Sequence, residues 1–241
     1  ADLDRDGTNE VVFEADGILV CAEGATGNSR WVFPAPGGAE GRCAVAAIDG
    51  DDVLDVIVAT RNNLVAAVSG KDGHPLWTFV AGGPVYGSPA AADVDGDGID
   101  DIAVASDRLI VLSGRDGHKL WDYPCGSSPA SPAFARLDGD PAPDLVVPGG
   151  DAAIHALSGR NGSLLWRTPL PGRSRCLPAI ADVDSYGTPD AVVSCSDGAI
   201  HFLSGRDGKS LWAFETNGPT QSSPLLVDVG GNGSLECAAG S

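Results

Sequence analysis

Residues 92–106, ADVDGDGIDDIAVAS, place Asp93, Asp95, Asp97 and Asp101 at positions 1, 3, 5 and 9 of a short loop. Gly98 occupies position 6, and Ile99 at position 7 can offer only its carbonyl. Alternate residues of a curled loop point their oxygens inward, and glycine permits the turn. Four carboxylates and a carbonyl make a hard oxygen cage suited to Ca²⁺. Without a cation, carboxylates so close repel one another and some take up protons. An EF-hand would need a bidentate Glu at position 12 and flanking helices. Position 12 here is Val104, inside an apolar run, so the spacing predicts a strand–loop–strand site.

The same chemistry recurs. Asp2, Asp4, Asp6, the Thr8 carbonyl and Glu10 repeat the full set, and Asp182, Asp184 and Asp190 repeat most of it, with Tyr186 at position 5. Three copies are worn and read as plain turns. One has Ala47 at position 1 before Asp49, Asp51 and Asp55. A second has Arg136 there, a guanidinium expected to replace a cation by pairing with Asp138 or Asp140. The last keeps Asp228, Asn232 and Glu236.

The elements that must position these loops follow from the period. The acidic copies begin at 1, 46, 92, 135, 181 and 227, which is 43 to 46 residues apart. A second text, such as SGRDGHKLWDY, alternates with them, and all five Trp (31, 77, 121, 166, 212) keep its period. Repeats of 40–50 residues suit a propeller blade of four strands. The third unit parses into strands near 88–94, 101–105, 108–113 and 119–123. Pro89, Pro132, Pro178 and Pro224 open first strands, where a missing amide does least harm. The 33 Gly and 17 Pro favour short strands and tight turns over helices. The prediction is an all-β protein, a single propeller over 1–241 with five blades and part of a sixth. Residue 1 already lies in an acidic copy, so the chain reads as a fragment of a ring of seven or eight blades.

A net charge of −18 excludes nucleic acid, whose binding needs Lys and Arg. It disfavours anionic membrane surfaces. No apolar run has the length of a membrane span. The 6 Cys show no CxxC spacing and predict no zinc site; free thiols and one or two disulfides both fit. His74 and His118 share a hairpin position, and His155 and His201 share a strand position, so repetition accounts for both pairs. Asn161 and Asn232 each begin an NGS sequon.

The loop D-x-D-x-D-G-x-x-D/E followed by an apolar strand resembles the FG-GAP/VCBS repeat of integrin α-subunit propellers and bacterial surface proteins. The SGRDGxxLW half resembles the tryptophan-docking text of PQQ-like propellers, which include the outer-membrane assembly lipoprotein and the quinoprotein dehydrogenases. Together the two cover essentially the whole chain. In the FG-GAP family the cation stiffens the underside of a blade and ligands meet the opposite face. That implies a structural, not catalytic, role for Asp93, Asp95, Asp97 and Asp101. The text GSPAAADV replaces a clear FG…GAP motif, and GRDG is a hairpin turn, not an adhesion signal.

Residues that break the repeat pattern lie in loops entering a first strand, opposite the acidic loops. They are Glu40, Arg42, Tyr86, Arg173, Arg175 and Gln221, and they form the candidate ligand face. The expected function is a non-enzymatic, calcium-stabilised recognition, adhesion or sensor domain for a protein or glycan ligand. Its expected place is extracellular, at the cell surface or periplasmic, where calcium is abundant enough for weak sites. The alternatives are an enzyme on this scaffold, a quinoprotein-type dehydrogenase or a polysaccharide lyase, and a pure spacer.

Overall fold

The computed structural model describes residues 1–231, 233 and 235–240. Among them there is no helix; all regular structure is antiparallel β. No helix is therefore long and apolar enough to cross a membrane. The chain divides into two compact units, Ala1–Pro124 and Cys125 onward.

The first unit holds three sheets. Strands β1 (Glu10–Ala15), β2 (Ile18–Glu23) and β3 (Ser29–Pro34) form a three-stranded sheet. Then β4 (Ala44–Ala46), β5 (Asp55–Ala59), β6 (Leu64–Val68) and β7 (Pro75–Val80) pair in chain order. So do β8 (Ala90–Ala92), β9 (Asp101–Ala105), β10 (Leu109–Leu112) and β11 (Lys119–Tyr123). The second unit repeats the plan. One sheet is β12 (Ala133–Ala135), β13 (Asp144–Pro148), β14 (Ala153–Leu157) and β15 (Leu164–Pro169). The next is β16 (Ala179–Ala181), β17 (Asp190–Ser194), β18 (Ala199–Leu203) and β19 (Ser210–Glu215). A final pair is β20 (Leu225–Val227) and β21 (Glu236–Ala238). The four four-stranded sheets are propeller blades, and the first and last sheets hold three and two strands of the same plan. Within each unit the short first strands of consecutive blades lie together, β4 by β8, and β12 by β16 by β20.

The burial pattern explains the sequence pattern. All of DVIVA, DIAVA, DLVVP and DAVVS, the second strands of four blades, are buried at every residue. Successive side chains of a strand point to opposite faces, and here both faces are covered. Val56 and Val58 join a core with Leu19, Cys21 and Trp31 of the preceding blade. Ile57 and Ala59 join another with Ile102, Val104 and Ile110 of the following blade. A strand covered on both faces reads as a continuous apolar run. Fourth strands alternate instead; β7 and β15 turn Trp77 and Trp166 inward, each 7% exposed, while the following Thr78 and Arg167 are exposed. A bulge precedes each of these tryptophans, with register shifts at Ala67/Val68 and Ala156/Leu157.

Within a blade, the acidic loop and the SGxDG hairpin lie at one end. The turn between second and third strands and the loop leading to the next blade lie at the other. This topology follows directly from the antiparallel order.

Candidate metal loops

The loop before β9 is shaped by its own carboxylates. Asp93 accepts the amides of Gly96 (Oδ1, 2.7 Å) and Gly98 (Oδ2, 2.9 Å). Asp95 accepts that of Asp97 at 3.0 Å, and Asp97 accepts that of Ile99 at 2.9 Å. Gly96 and Gly98 take positive φ of 83° and 85°, which curls the loop. Carboxylate oxygens of Asp93, Asp95 and Asp101 come within 4.8 Å of one another. Asp97 is outside that group, because Arg115 of the SGRDG hairpin holds it at 2.9 Å and keeps its pKa low.

Position 9 is held by backbone amides. Asp101 is 1% exposed. Its Oδ2 accepts the Val94 amide at 3.0 Å and its Oδ1 accepts the Gly114 amide at 3.1 Å. It therefore ties the acidic loop to the hairpin of its own blade. Burial pushes its pKa from 3.8 up to about 6, partly offset by these amides, with Asp95 and Asp97 adding to the rise. The Gly114 carbonyl in turn accepts Trp77 Nε1 of the preceding blade at 2.5 Å. A Cβ at Gly114 would sit 1.9 Å from the Asp100 carbonyl oxygen, so only glycine fits. The same chain of contacts recurs. Asp55 holds Gly70, which holds Trp31 at 2.8 Å; Asp190 holds Gly205, which holds Trp166 at 2.7 Å. Each of these tryptophans also lies over a second hairpin glycine, Gly73, Gly117 or Gly208. The calcium-type loop and the tryptophan dock are thus one hydrogen-bonded structure. The sequence displayed both texts but not the link between them, because the link runs through a backbone amide.

The other copies differ in instructive ways. Asp2, Asp4 and Asp6 converge within the same 4.8 Å limit, but Glu10 does not join them. Glu10 accepts the Leu3 amide at 2.5 Å, and Arg30 pairs with Asp4 and stands 3.9 Å from Glu10. That hydrogen bond from Arg30 holds the Asp4 pKa low. Thr8 donates its amide to Asp6 at 2.7 Å. In the fifth copy Asp182, Asp184 and Asp190 converge. Tyr186 at position 5 does what Asp97 does by other means, stacking its ring 4.7 Å from the guanidinium of Arg206. The fourth copy corrects an expectation. Arg136 forms no ion pair among the described residues, and Asp138, Asp140 and Asp144 converge without it. In the last copy Gly233 donates to Asp228 and Val229 to Glu236, both at 2.8 Å; Asn232 lies outside the described residues.

At the opposite ends of the blades the six candidate ligand residues are all exposed. In the first unit, Glu40 pairs with Arg61 at 3.2 Å, the Arg42 amide is held by Ser88 Oγ at 2.8 Å, and Tyr86 stands 39% exposed. In the second unit, the Arg173 amide is held by Ser196 Oγ at 2.9 Å, with Arg175 and Gln221 open to solvent. Within each unit these side chains occupy loops at one end of the blades but do not converge on a single cavity. The histidines pair with aspartates: His74 with Asp72 at 2.5 Å, His118 with Asp116 at 2.6 Å, His155 with Asp151 at 3.0 Å and His201 with Asp197 at 2.8 Å. No disulfide forms.

Residues 6–144 and 141–235 match a family described as outer membrane protein assembly factor BamB. The chain belongs to this family. No curated protein sequence matches it significantly. Among solved structures, BamB from Moraxella catarrhalis superposes with a TM-score of 0.66 at 17% identity, over 89% of this chain and 63% of that one. The V. cholerae biofilm matrix protein Bap1 gives 0.70 at 18% identity, over 92% of this chain and 39% of that one. BBS1N, solved in complex with ARL6DN, gives 0.67 at 15% identity, over 99% and 73%. The chain therefore spans less than two thirds of the first two proteins. At these identities the likeness shows the propeller fold. The family match shows the PQQ-like half of the sequence resemblance.

Proposed function

We propose that this BamB-family chain is a non-enzymatic recognition propeller, stiffened by calcium in its acidic loops and working in the periplasm or at the cell surface. The observation that carries the reading is the position-9 carboxylate, which in the second, third and fifth copies (Asp55, Asp101 and Asp190) joins the acidic loop to the tryptophan dock between blades. The residues fit the ion. Asp93, Asp95 and Asp101 would hold it in the third loop, Asp182, Asp184 and Asp190 in the fifth, and Asp2, Asp4 and Asp6 in the first. Asp97 and the Ile99 and Thr8 carbonyls belong to the wider FG-GAP-type set.

Bound calcium would supply positive charge to carboxylates that otherwise repel. The chain's own groups do the rest. Asp101 and Asp190 keep one oxygen on the hairpin amide, so holding the loop also holds the glycine that receives Trp77 or Trp166. Rigid blades then present the loops carrying Glu40, Arg42 and Tyr86, and those carrying Arg173, Arg175 and Gln221. A protein is the favoured ligand, in keeping with the family's description as an assembly factor and with BBS1N's capture in a complex. A glycan is the second candidate. Thermal unfolding of the chelated chain, with and without millimolar calcium, tests the reading. A higher Tm in calcium that the Asp93→Asn/Asp95→Asn/Asp182→Asn/Asp184→Asn variant lacks supports it, and an unchanged Tm refutes it.

A further inference from the structure

One hairpin of the second unit departs from its repeat in two places at once. Strand β17 runs on into Cys195, whose amide donates to Ala199 O at 3.0 Å and closes the turn into β18. The residues in this place in earlier blades are Thr60, Ser106 and Gly149, which make the equivalent turn-closing bonds. A thiol is therefore new here. The second departure is on β19. His155 pairs across its sheet with Arg167, and Arg167 neutralises Asp151 at 2.7 Å. His201 pairs with Ala213, so the corresponding guanidinium beside Asp197 is gone. One blade has lost a cation and gained a soft ligand at the same spot.

The geometry brings the three groups together. His201 lies opposite Val193, two residues before Cys195, so its ring shares a face with the thiol. Ligand atoms of Cys195, Asp197 and His201 lie within 4.8 Å of one another. Cys195 is fully buried, while the side chains of Asp197 and His201 keep 15% and 12% exposure and form a rim. Gly172, in the loop above, brings its backbone directly over the thiol and hydrogen-bonds to it, so entry to the site is from the Asp197 and His201 rim. A Cβ there would sit 3.1 Å from Cys195 Sγ and 2.7 Å from Ser196 Oγ.

We propose that Cys195, Asp197 and His201 form a three-ligand site for a divalent transition metal of the zinc class. Thiolate and imidazole select such an ion over calcium, and three protein ligands leave a coordination position open. The site is at the opposite end of its blade from the Asp182–Asp190 loop and does not depend on the calcium reading. On binding, the Cys195 S–H bond breaks, the sulfur–metal bond forms and the thiol proton leaves to solvent. The His201–Asp197 hydrogen bond opens, the ring passes through solvent exchange from its Nε2–H to its Nδ1–H tautomer, and the freed Nε2 binds the metal. Cysteine spacing could not announce this C-x-D-x₃-H set, because its ligands belong to different columns of the repeat.

The test is a cobalt titration of the reduced, metal-stripped full chain in saturating calcium. One equivalent of Co²⁺ should raise a thiolate-to-cobalt charge-transfer band that Zn²⁺ then displaces. Cys195→Ser should abolish the band, and Asp197→Asn and His201→Gln should weaken cobalt binding by at least about tenfold. No band in the folded wild type, or a band surviving in Cys195→Ser, overturns the proposal. Should Cys195→Ser fail to fold, the rim variants decide: cobalt affinity unchanged in His201→Gln also overturns it.

Discussion

Replacing Asp55 by Ala isolates the position-9 carboxylate from any metal, because its loop has Ala47 at position 1. Asp55 is fully buried and accepts the amides of Ile48, Asp49 and Gly70 at 3.2, 3.3 and 3.3 Å. The first and third belong to buried residues. Each buried amide left without an acceptor costs roughly 1–3 kcal/mol, so the loss at low pH is about 2–6 kcal/mol. Ionisation works against this. Burial raises the Asp55 pKa from 3.8 to about 6. The native state therefore binds the proton more tightly than the unfolded chain. That stabilisation is fully present below about pH 3.8 and is lost as pH rises through about 6. At about 1.4 kcal/mol per pH unit it amounts to about 3 kcal/mol. The destabilisation by Asp55→Ala should thus shrink by up to about 3 kcal/mol between about pH 4 and pH 7. Asp101, with its pKa also near 6, and Asp144, also raised by burial, remain in both proteins and cancel in the difference. Urea unfolding of both proteins across this range, in chelator, gives the comparison. A difference that is flat or grows with pH would refute the ionisation argument, and one below about 1 kcal/mol at low pH would refute the amide argument.

Other expectations follow from the same geometry. Trp166→Phe keeps most of the buried ring but leaves the Gly205 carbonyl without its donor, and chemical denaturation should show a loss of about 1–3 kcal/mol. Gly114→Ala must move the Asp100 carbonyl, 1.9 Å from the new Cβ, and should lower stability by at least about 1–3 kcal/mol in the same assay. Arg30→Gln removes the guanidinium that already occupies Asp4. Calorimetry should then show tighter calcium binding at the first loop than in wild type; unchanged binding would count against a competing role for Arg30.

Much of the architecture was legible because the repeat writes each element several times. The expected strands 101–105 and 119–123 match β9 and β11, and each predicted Pro stands just before a first strand. The first strand itself was drawn too long; β8 covers only Ala90–Ala92, since Pro89 and the curl beginning at Asp93 bound it. Composition also showed the converging carboxylates, but not which of them already have partners. Arg115, Arg30 and Arg206 reach position-5 or position-3 side chains from a neighbouring strand or hairpin, and those contacts depend on the fold. Arg136 failed in the reverse sense, with the right charge at the right position and no ion pair among the described residues. The link from Asp101 through Gly114 to Trp77 is invisible to residue types, because its middle member is backbone.

The central claim is that the acidic loops hold calcium. Crystals of the chain grown in calcium, measured with anomalous scattering, test it most directly. The account predicts peaks among Asp93, Asp95 and Asp101 and among Asp182, Asp184 and Asp190, with a first-loop peak dependent on Arg30 moving aside. In solution, a site with a Kd near 0.1 mM would then add about 1.4 kcal/mol of stability in about 1 mM calcium. Water alone in all three loops, at calcium concentrations well above millimolar, would contradict the claim.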